Sequence, residues 1–231
     1  MNVPRLSVIV PVLNEEKIIG RALDRLAEVF RKEEAEVIVV DGGSSDQTAE
    51  IARRRPRVNV IASRPGRGIQ LNRGAAEARG DVLLFLHADA CLPAGAGELI
   101  RRASREKGTA GGCFQIKTIP PPGKGRLFRL LLKTADWRSR FSRFPYGDQA
   151  VFVKQTIFER LGGFRDYPIM EDLDFSKRLR RVGKIVRIKE PVQVSGRRWD
   201  KNIVMNFLKL KTFPVLFRLG VSPRFLARFY R

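Results

Sequence analysis

The chain has 231 residues, of which 43% are hydrophobic, so it is long enough for one compact domain with a substantial core. Its two cysteines lack zinc-ligand spacing and are too few for a disulfide framework, which indicates reduced, buried thiols in a cytoplasmic protein. The net charge of +21 indicates an anionic partner such as nucleic acid, an anionic membrane surface or a phosphorylated substrate, and charge alone does not choose among them.

The first part of the chain alternates short apolar runs with amphipathic helical patterns. The apolar runs predict buried strands at residues 6–10, 37–40, 58–62 and 82–86. Helices are predicted from Asn14 to residue 30, over 47–54 with Ser45 or Asp46 as the cap, and over 66–78. This alternation predicts right-handed βαβ units and a parallel sheet.

The second part of the chain is less regular. Helices are predicted over 98–105, 127–137, 157–161 and 171–182, and strands over 111–117, 150–153 and 184–188. The proline- and glycine-rich run at 120–125 predicts a loop that carries basic residues. The first residues do not resemble a signal peptide, and no apolar run approaches the roughly 18 residues of a membrane span.

Polar clusters follow three of the predicted strands. Asn14 and Glu15 come after the first strand, Asp41 begins a glycine- and serine-containing run after the second, and His87 and Asp89 follow the fourth. Because ligands of open α/β sheets bind outside the carboxyl ends of the strands, this rim is a predicted nucleotide site. Asp41 alone also fits an ordinary Asx turn between strand and helix.

His87 and Asp89 are candidate metal ligands. In an extended backbone their side chains would lie on the same side, because the side-chain period of a strand is two. A Mg²⁺ or Mn²⁺ ion is usually held by one or two carboxylates while substrate phosphates supply other ligands, so Asp89 alone is sufficient. Mn²⁺ tolerates imidazole better than Mg²⁺ does, and a supporting hydrogen bond is the alternative role for His87.

Three acids, Glu171, Asp172 and Asp174, stand at the start of a predicted helix. Acids at a helix N-terminus are favoured by roughly 0.3–1 kcal/mol through the helix dipole, which accounts for them generically. The preceding turn at Gly162 and Gly163 would present them toward a cleft, where a carboxylate could act as general base for an attacking hydroxyl.

Four motifs together resemble those of family 2 glycosyltransferases with the GT-A fold. In chain order they are PVLNEE at 11–16, VDGGSSD at 40–46, HAD at 87–89 and ED at 171–172. Each motif is weak alone, whereas their order and their strand–helix context are specific. The overall pattern, over about residues 6–199, is most similar to the bacterial branch of arsenosugar-biosynthesis and diaponeurosporenoate-type glycosyltransferases.

The resemblance implies an α/β GT-A domain over residues 1–199, with a Rossmann-like, mostly parallel sheet flanked by helices. The mixed apolar and basic residues that follow predict a basic amphipathic helical extension over 200–231. The resemblance further implies inverting, non-processive transfer of a hexosyl-type sugar from a nucleotide-diphosphate sugar to a hydroxyl acceptor, with Mg²⁺ or Mn²⁺ as cofactor.

The resemblance also implies roles for individual residues. Asp172 is the expected base with Glu171 as its neighbour, and Asp148 and Gln149 lie on the acceptor side. The expected nucleotide-sugar site consists of Pro11, Asn14, Glu15, Asp41, Arg67, Asp89 and Arg198. Asp89 is also the expected metal ligand, with His87 as a second candidate.

The sequence departs from the family pattern at two points. The run SGRRW at 195–199 resembles the end of the QxxRW motif of processive synthases, with Ser195 in place of glutamine, which argues against processive synthesis. Arg197 or Arg198 is still expected at the diphosphate, because guanidinium pairs bidentately with phosphate oxygens. His87 stands where many relatives carry Asp, so the strictness of metal dependence stays open.

The C-terminal segment 202–230 mixes apolar and basic residues. An apolar face bordered by Lys and Arg can lie in a membrane interface, which would place the protein at the inner face of the membrane and suit a lipid-linked acceptor. A helix packed on the catalytic domain, with its basic residues solvated, accounts for the same pattern. Both interpretations stay open.

Two other functions account for part of the sequence. A nucleotidyltransferase also places a metal at a strand end, but it ordinarily has a glycine-rich basic signature after the first strand, where this chain has PVLN at 11–14. A nucleic-acid-binding protein would account for the charge, but it predicts basic and aromatic residues clustered on one element. The arginines are dispersed instead, so no specific nucleic acid is expected.

Overall fold

The computed structural model describes residues 5–31, 35–141, 143–199 and 203–229, without the side chains of Ala135, Arg138 and Arg198. The strands are β1 (Leu6–Val12), β2 (Ala35–Asp41), β3 (Val58–Ala62), β4 (Val82–Phe85), β5 (Ala90–Cys91), β6 (Thr109–Ile119), β7 (Val151–Lys154) and β8 (Lys184–Ser195). The helices are α1 (Glu16–Val29), α2 (Thr48–Arg53), α3 (Arg67–Glu77), α4 (Ala96–Arg105), α5 (Arg126–Phe141), α6 (Gln155–Arg160), α7 (Glu171–Val182), α8 (Ile203–Arg218) and α9 (Pro223–Ala227). Short 3₁₀ turns span Gly147–Gln149 and Gly196–Trp199.

The strands form one eight-stranded sheet in the order β3-β2-β1-β4-β7-β6-β8-β5. Strands β1 to β4 are parallel, β7 runs antiparallel to β4 and β6, and β6 and β8 are parallel again. Because β1, β2 and β4 are parallel, their carboxyl ends lie at one rim. The strand order reverses beside β1, which is where ligands of open α/β sheets bind. The predicted α/β architecture with a mostly parallel sheet is confirmed.

Alternate residues of the central strands pack into two apolar clusters. Val8 and Val10 of β1 join Ile19 of α1 in one cluster, whereas Ile9 joins Phe175 of α7 in the other. Successive side chains of a strand point to opposite faces of the sheet, so helices cover both faces. This explains why the strands read as continuous apolar runs in the sequence.

An aromatic cluster connects the end of β4 to the helix that carries the acidic residues. The ring of Phe85 lies 4.9 Å from that of Phe164, which lies 4.5 Å from that of Phe175. Phe158 of α6 packs against Phe175 as well, at 5.4 Å. These buried rings fix the first turn of α7 relative to the rim.

Strand β5 and the second half of β8 were not predicted from the sequence. Ala90 pairs with Val194, and the backbone N–H of Ser195 donates to the carbonyl of Asp89 at 3.1 Å. This pairing joins segments far apart in the chain, which local patterns do not reveal. It places the turn Gly196–Trp199 beside the turn that follows β4.

The two cysteines differ in their surroundings. Cys113 is buried, as expected, and burial raises the pKa of its thiol to about 12. Cys91 is only half-buried, because it lies on the short edge strand β5.

The C-terminal helices pack against the rest of the protein through a small contact. Phe213 of α8 and Leu226 of α9 form a buried cluster with Ile169, which precedes α7. Much of the remaining surface of α8 is exposed, so packing accounts for only one side of this segment. No helix in the described ranges is both long enough and apolar enough to cross a membrane.

Candidate active site

Asn14 joins the loops that follow β1 and β2. Its backbone φ of 55° lies in the left-handed region, which asparagine adopts more readily than most residues. Its Oδ1 accepts a hydrogen bond from the backbone N–H of Ser45 at 2.8 Å, and its own N–H donates to Ser44 Oγ at 2.9 Å. Asn14 therefore shapes the rim by holding the second loop in place.

Asp41 closes the turn after β2. Its carboxylate accepts hydrogen bonds from the backbone N–H groups of Gly43 at 3.3 Å and Ser44 at 3.1 Å. Gly43 has a φ of 89°, a conformation that favours glycine. The Asx-type turn is thus present in the structure, and contact between Asp41 and a nucleotide base stays a prediction.

Gln70 of α3 ties the ends of β1 and β2 together. It is buried, and its Nε2 donates to the carbonyl oxygens of Val12 and Val40, both at 2.9 Å. A Cβ on Gly42 would lie 3.0 Å from this Nε2, so the glycine leaves the amide room to reach both strands. We did not predict this residue from the sequence. A glutamine next to the apolar Leu71 in a predicted helix could have indicated a polar side chain on the buried side of that helix.

Asp89 belongs to a charged cluster at the rim. Its side chain is only 5% exposed, and its Oδ2 lies 3.8 Å from Nε of Arg197. Arg197 also donates from Nη2 to both carboxylate oxygens of Glu15, at 2.6 and 2.7 Å. Of the two arginines expected at the diphosphate, Arg197 is the one that the structure places here. The side chain of Arg198 lies outside the described part of the chain.

The backbone over residues 87–89 is not extended, so the condition under which His87 and Asp89 would lie on the same side is not met. The backbone N–H of Ala90 donates to the carbonyl of His87 at 3.0 Å, so the chain turns here in order to pair β5 with β8. As a result His87 lines the cleft described below, whereas Asp89 is not among the residues that line it. The two candidate metal ligands therefore border different spaces.

No group of three or more His, Cys, Asp and Glu side chains within the described ranges is placed to hold a metal ion. Asp89 nevertheless suits a metal that arrives with a nucleotide diphosphate, because phosphates and water supply most ligands of Mg²⁺. Its carboxylate lies 3.8 Å from the guanidinium of Arg197, so a metal ion bound there would share Asp89 with this arginine. The oxygen ligands of Asp89 suit Mg²⁺ or Mn²⁺, and metal binding by Asp89 or His87 stays a prediction.

A cleft of about 290 Å³ lies between the first turn of α7 and helix α8. Four of the residues that we predicted for the site line it: Arg67, His87, Asp148 and Asp172. Tyr146, Trp199 and, from α8, Asn206, Lys209 and Leu210 complete much of the wall. The residues from α8 were missed, because no local pattern in the sequence indicates where that helix docks.

Asp172 is held by the backbone on two sides. Its Oδ2 accepts a hydrogen bond from the N–H of Gly147 and its Oδ1 accepts one from the N–H of Leu173, both at 2.7 Å. A Cβ on Gly147 would lie 3.0 Å from His87 Nε2 and 3.3 Å from Asp172 Oδ2. The glycine thus keeps the carboxylate and the imidazole beside one open space, as a general base requires.

Glu171 is buried behind the cleft and forms an ion pair with Arg67 at the start of α3. Burial raises the pKa of Glu171, the charge of Arg67 opposes this rise, and the charge of Asp172 adds to it. Glu171 does not line the cleft, but its partner Arg67 does. Its position suits a residue that orients Arg67.

Pro11 lies at the junction between the rim and the cleft. It lines a small pocket together with Glu171 and with Arg67, His87 and Asp172, which also line the cleft. The structure therefore brings Pro11 close to both predicted catalytic acids.

Asp148 and Gln149 were both expected on the acceptor side, and the structure separates them. Asp148 lines the cleft. Gln149 is fully buried, its Nε2 donates to the carbonyl of Phe114 at 3.1 Å, and its Oε1 accepts from the N–H of Tyr146 at 3.1 Å. The expectation for Gln149 is corrected, because its amide holds the tight turn against β6 and does not reach the cleft.

The sequence matches known proteins over most of its length. The family model described as Glycosyl transferase family 2 matches residues 7–168. The probable glycosyltransferase YdaM of Bacillus subtilis (strain 168) is 25% identical over 203 residues, which cover 80% of this chain and 48% of that protein. Glucosyl-3-phosphoglycerate synthase of Mycolicibacterium paratuberculosis is 33% identical over 96 residues, or 38% of this chain and 29% of the synthase. The matched regions thus span 48% of the first relative and 29% of the second.

Solved structures share the fold. The mannosyltransferase PcManGT from Pyrobaculum calidifontis, in complex with GDP-Man and Mn²⁺, aligns with a TM-score of 0.65 and 22% identity over 96% of this chain and 67% of that one. Staphylococcus aureus TarS 1-349, in complex with UDP-GlcNAc, aligns with a TM-score of 0.64 and 22% identity over 92% and 66% of the two chains. The likeness confirms the predicted GT-A fold.

Proposed function

The chain belongs to glycosyl transferase family 2, and on this premise we propose that it transfers a sugar from a nucleotide-diphosphate sugar to a hydroxyl acceptor in one inverting, non-processive step. The observation that carries the proposal is the division of the site into a charged rim at Asp89 and a cleft that contains the carboxylate of Asp172. A single in-line displacement needs these two parts and no enzyme nucleophile. Both solved neighbours contain a nucleotide-sugar, which supports this donor class.

At the rim, the chain holds the nucleotide and its diphosphate. Asp89 would hold a Mg²⁺ or Mn²⁺ ion, which supplies charge stabilisation to the leaving diphosphate when bound. Arg197 provides a second cation at this position, and its planar guanidinium suits phosphate oxygens. An incoming diphosphate would compete with Glu15 for Arg197, so that Glu15 releases the arginine as the donor binds.

In the cleft, the chain activates the acceptor. Asp172 takes the proton of the acceptor hydroxyl while the oxygen of that hydroxyl bonds to the anomeric carbon and the bond to the diphosphate breaks. The backbone N–H groups of Gly147 and Leu173 hold the carboxylate in the required orientation. Asp148, which lines the cleft, would orient the hydroxyl.

The proposal extends to the organisation of the chain. Residues 1–199 would form the catalytic domain, and the extension at 200–231 would close the acceptor side and contact the inner face of the membrane. The narrower similarity to arsenosugar-biosynthesis and diaponeurosporenoate-type enzymes stays a prediction and sets neither donor nor acceptor.

Titration of the protein with UDP, GDP and dTDP, with and without Mn²⁺, tests the donor half of the proposal. We expect at least one nucleotide to bind, and to bind more tightly with Mn²⁺. Asp89→Asn should weaken the metal-assisted binding, whereas Asp24→Asn, which alters an exposed carboxylate paired with Arg55, should not. The proposal fails if no nucleotide binds, and the role of Asp89 fails if the two variants bind equally well.

A further inference from the structure

An open groove of about 580 Å³ lies between helices α5 and α8. Its walls are largely apolar and include Trp137, Phe141, Phe144, Leu210, Pro214 and Val215. Arg143, Lys211 and Arg218 also line it. A groove with hydrocarbon walls and several cations suits an amphiphile that combines an apolar chain with an anionic group.

The groove leads into the cleft that contains Asp172. Three residues, Tyr146, Leu210 and Pro214, line both spaces. A long molecule in the groove could therefore extend its polar end past Leu210 toward the carboxylate.

The outer surfaces of both helices continue the apolar character of the groove. The exposed apolar residues are Leu127, Leu130, Trp137 and Phe141 on α5, Val204, Met205, Leu208, Val215 and Leu216 on α8, and Leu219 directly after α8; together they are the α5–α8 face. On each helix they recur at helical spacing and so form one stripe. Trp137 and Phe141 are 61% and 68% exposed, and an apolar patch of this kind marks an interaction surface.

The charge around this face selects its partner. Residues 124–143 contain seven Lys and Arg against Asp136 alone, and residues 203–229 contain five with no acid. The carboxylate of Asp136 is engaged by the backbone N–H of Thr118 at 2.8 Å. Two copies of this face would repel each other, whereas anionic lipid headgroups would attract it.

We propose that the groove holds the hydrocarbon chain of a lipid acceptor, taken from an anionic bilayer on which the α5–α8 face rests. The hydroxyl of that lipid would then lie in the cleft beside Asp172. This assignment of the acceptor class rests on the proposed function for the chemical step, while lipid binding itself rests on the groove and the face.

Trp137 provides a direct probe of this site. The chain has two tryptophans, so in a Trp199→Phe variant Trp137 is the only tryptophan that fluoresces. Vesicles of phosphatidylcholine and phosphatidylglycerol with brominated acyl chains should quench the fluorescence of Trp137. Vesicles of phosphatidylcholine alone, brominated in the same way, should quench it much less.

A matched pair of valine substitutions tests whether the groove itself contacts the bilayer. Val215→Glu places a carboxylate in the groove and should weaken binding to anionic vesicles about tenfold or more, because it removes apolar burial and repels the anionic headgroups. Val182→Glu makes the same change at an exposed valine of α7 and should bind as the unchanged chain does. Vesicle flotation of the chain with both tryptophans gives the same comparison without the Trp199→Phe change.

The possible failures are distinguishable. Absent vesicle binding with intact nucleotide binding overturns the lipid acceptor and leaves the proposed function standing, whereas absent nucleotide binding contradicts the proposed function itself. Vesicle binding without quenching of Trp137, or equal binding of the two glutamate variants, indicates charge adsorption and overturns the groove assignment. A concentration-dependent dimer in sedimentation that Val215→Glu abolishes would assign the face to a second copy of the chain instead.

Discussion

The rim proposed for the donor and the cleft proposed for the acceptor are constructed in different ways. The rim is held by hydrogen bonds between loops that follow adjacent parallel strands, such as those of Asn14 to the second loop and of Gln70 to β1 and β2. The cleft takes its walls from α7, the turn Gly147–Gln149 and α8, which are far apart in the sequence. Sheet topology therefore sets the rim, whereas the shape of the cleft depends on where one C-terminal helix docks.

This difference has a consequence for binding. Changes in α8 should alter how the acceptor is handled and leave the nucleotide site intact, because no residue of α8 takes part in the hydrogen bonds described at the rim. Changes in the rim should weaken nucleotide binding while the carboxylate of Asp172 keeps its position. Variants in the two regions should therefore separate binding from chemistry.

The largest expected effect is that of Asp172→Asn. Loss of a general base typically costs about 10²–10⁴-fold in rate, so transfer should fall by that factor while nucleotide affinity stays unchanged. Steady-state kinetics and nucleotide titration measure the two quantities. Asp166→Asn, which alters an exposed acid paired with Arg64, is the control. A normal transfer rate in Asp172→Asn would show that the base lies elsewhere.

Arg197→Ala should weaken nucleotide binding, whereas Asp172→Asn should slow transfer and leave that binding unchanged. Hydrogen bonds to charged groups are worth about 1.5–3 kcal/mol, so the affinity for the nucleoside diphosphate should fall by roughly one to two orders of magnitude. Arg224→Ala, at an exposed position of α9, removes one charge of the same kind and controls for net charge. Calorimetric titration measures both, and equal affinities would remove Arg197 from the donor site.

Gly147→Ala should reduce turnover about tenfold with a smaller effect on nucleotide affinity. The added methyl group would crowd His87 Nε2 at 3.0 Å and Asp172 Oδ2 at 3.3 Å, and small misplacements of catalytic groups are costly. Gly125→Ala is the matched control, because a Cβ there has no atom within 4 Å. Turnover that is equal in the two variants would indicate that the space beside Gly147 is not used.

The smallest expected effect concerns pH. The pKa of Glu171 is raised above its ordinary 4.5 by burial, so the folded protein binds more protons than the unfolded chain just above that pH. Stability attributable to this residue is therefore lost as pH rises above 4.5 toward the raised value.

Thermal melting at a series of pH values tests this sign. Glu171→Gln removes the titration, so its melting temperature should fall less across this window than that of the unchanged chain. Glu77→Gln, on the exposed part of α3, should retain the original slope. Parallel curves for the unchanged chain and Glu171→Gln would mean that Glu171 ionises as an ordinary exposed acid does.

The sequence predicted the rim better than the cleft, and the reason is physical. Asn14, Asp41 and Asp89 each follow a strand whose apolar run is visible locally, so their convergence follows from the sheet topology. The turn after His87 and the position of Arg197 depend on the pairing of β5 with β8, which no local pattern encodes. Gln149 was wrongly predicted to lie on the acceptor side, because neighbouring side chains of a tight turn point in different directions.

The docking of α8 marks the limit of prediction from local patterns. Its apolar residues fit both packing and a membrane interface, and the structure uses Phe213 for packing while Val204 and Leu208 stay exposed. Apolar periodicity indicates that one face of a helix is apolar, but it does not identify what packs against that face.

The central claim, a donor rim joined to an acceptor cleft with Asp172 as the base, is tested most directly by a nucleotide-sugar hydrolysis screen. The protein and its Asp172→Asn variant would be incubated with UDP-, GDP- and dTDP-sugars, with water in place of the acceptor, and the released nucleoside diphosphate would be measured. We expect release from a donor whose nucleotide also binds, and much slower release by Asp172→Asn with unchanged nucleotide affinity. Release from no donor, or equal release by both proteins, would contradict the claim.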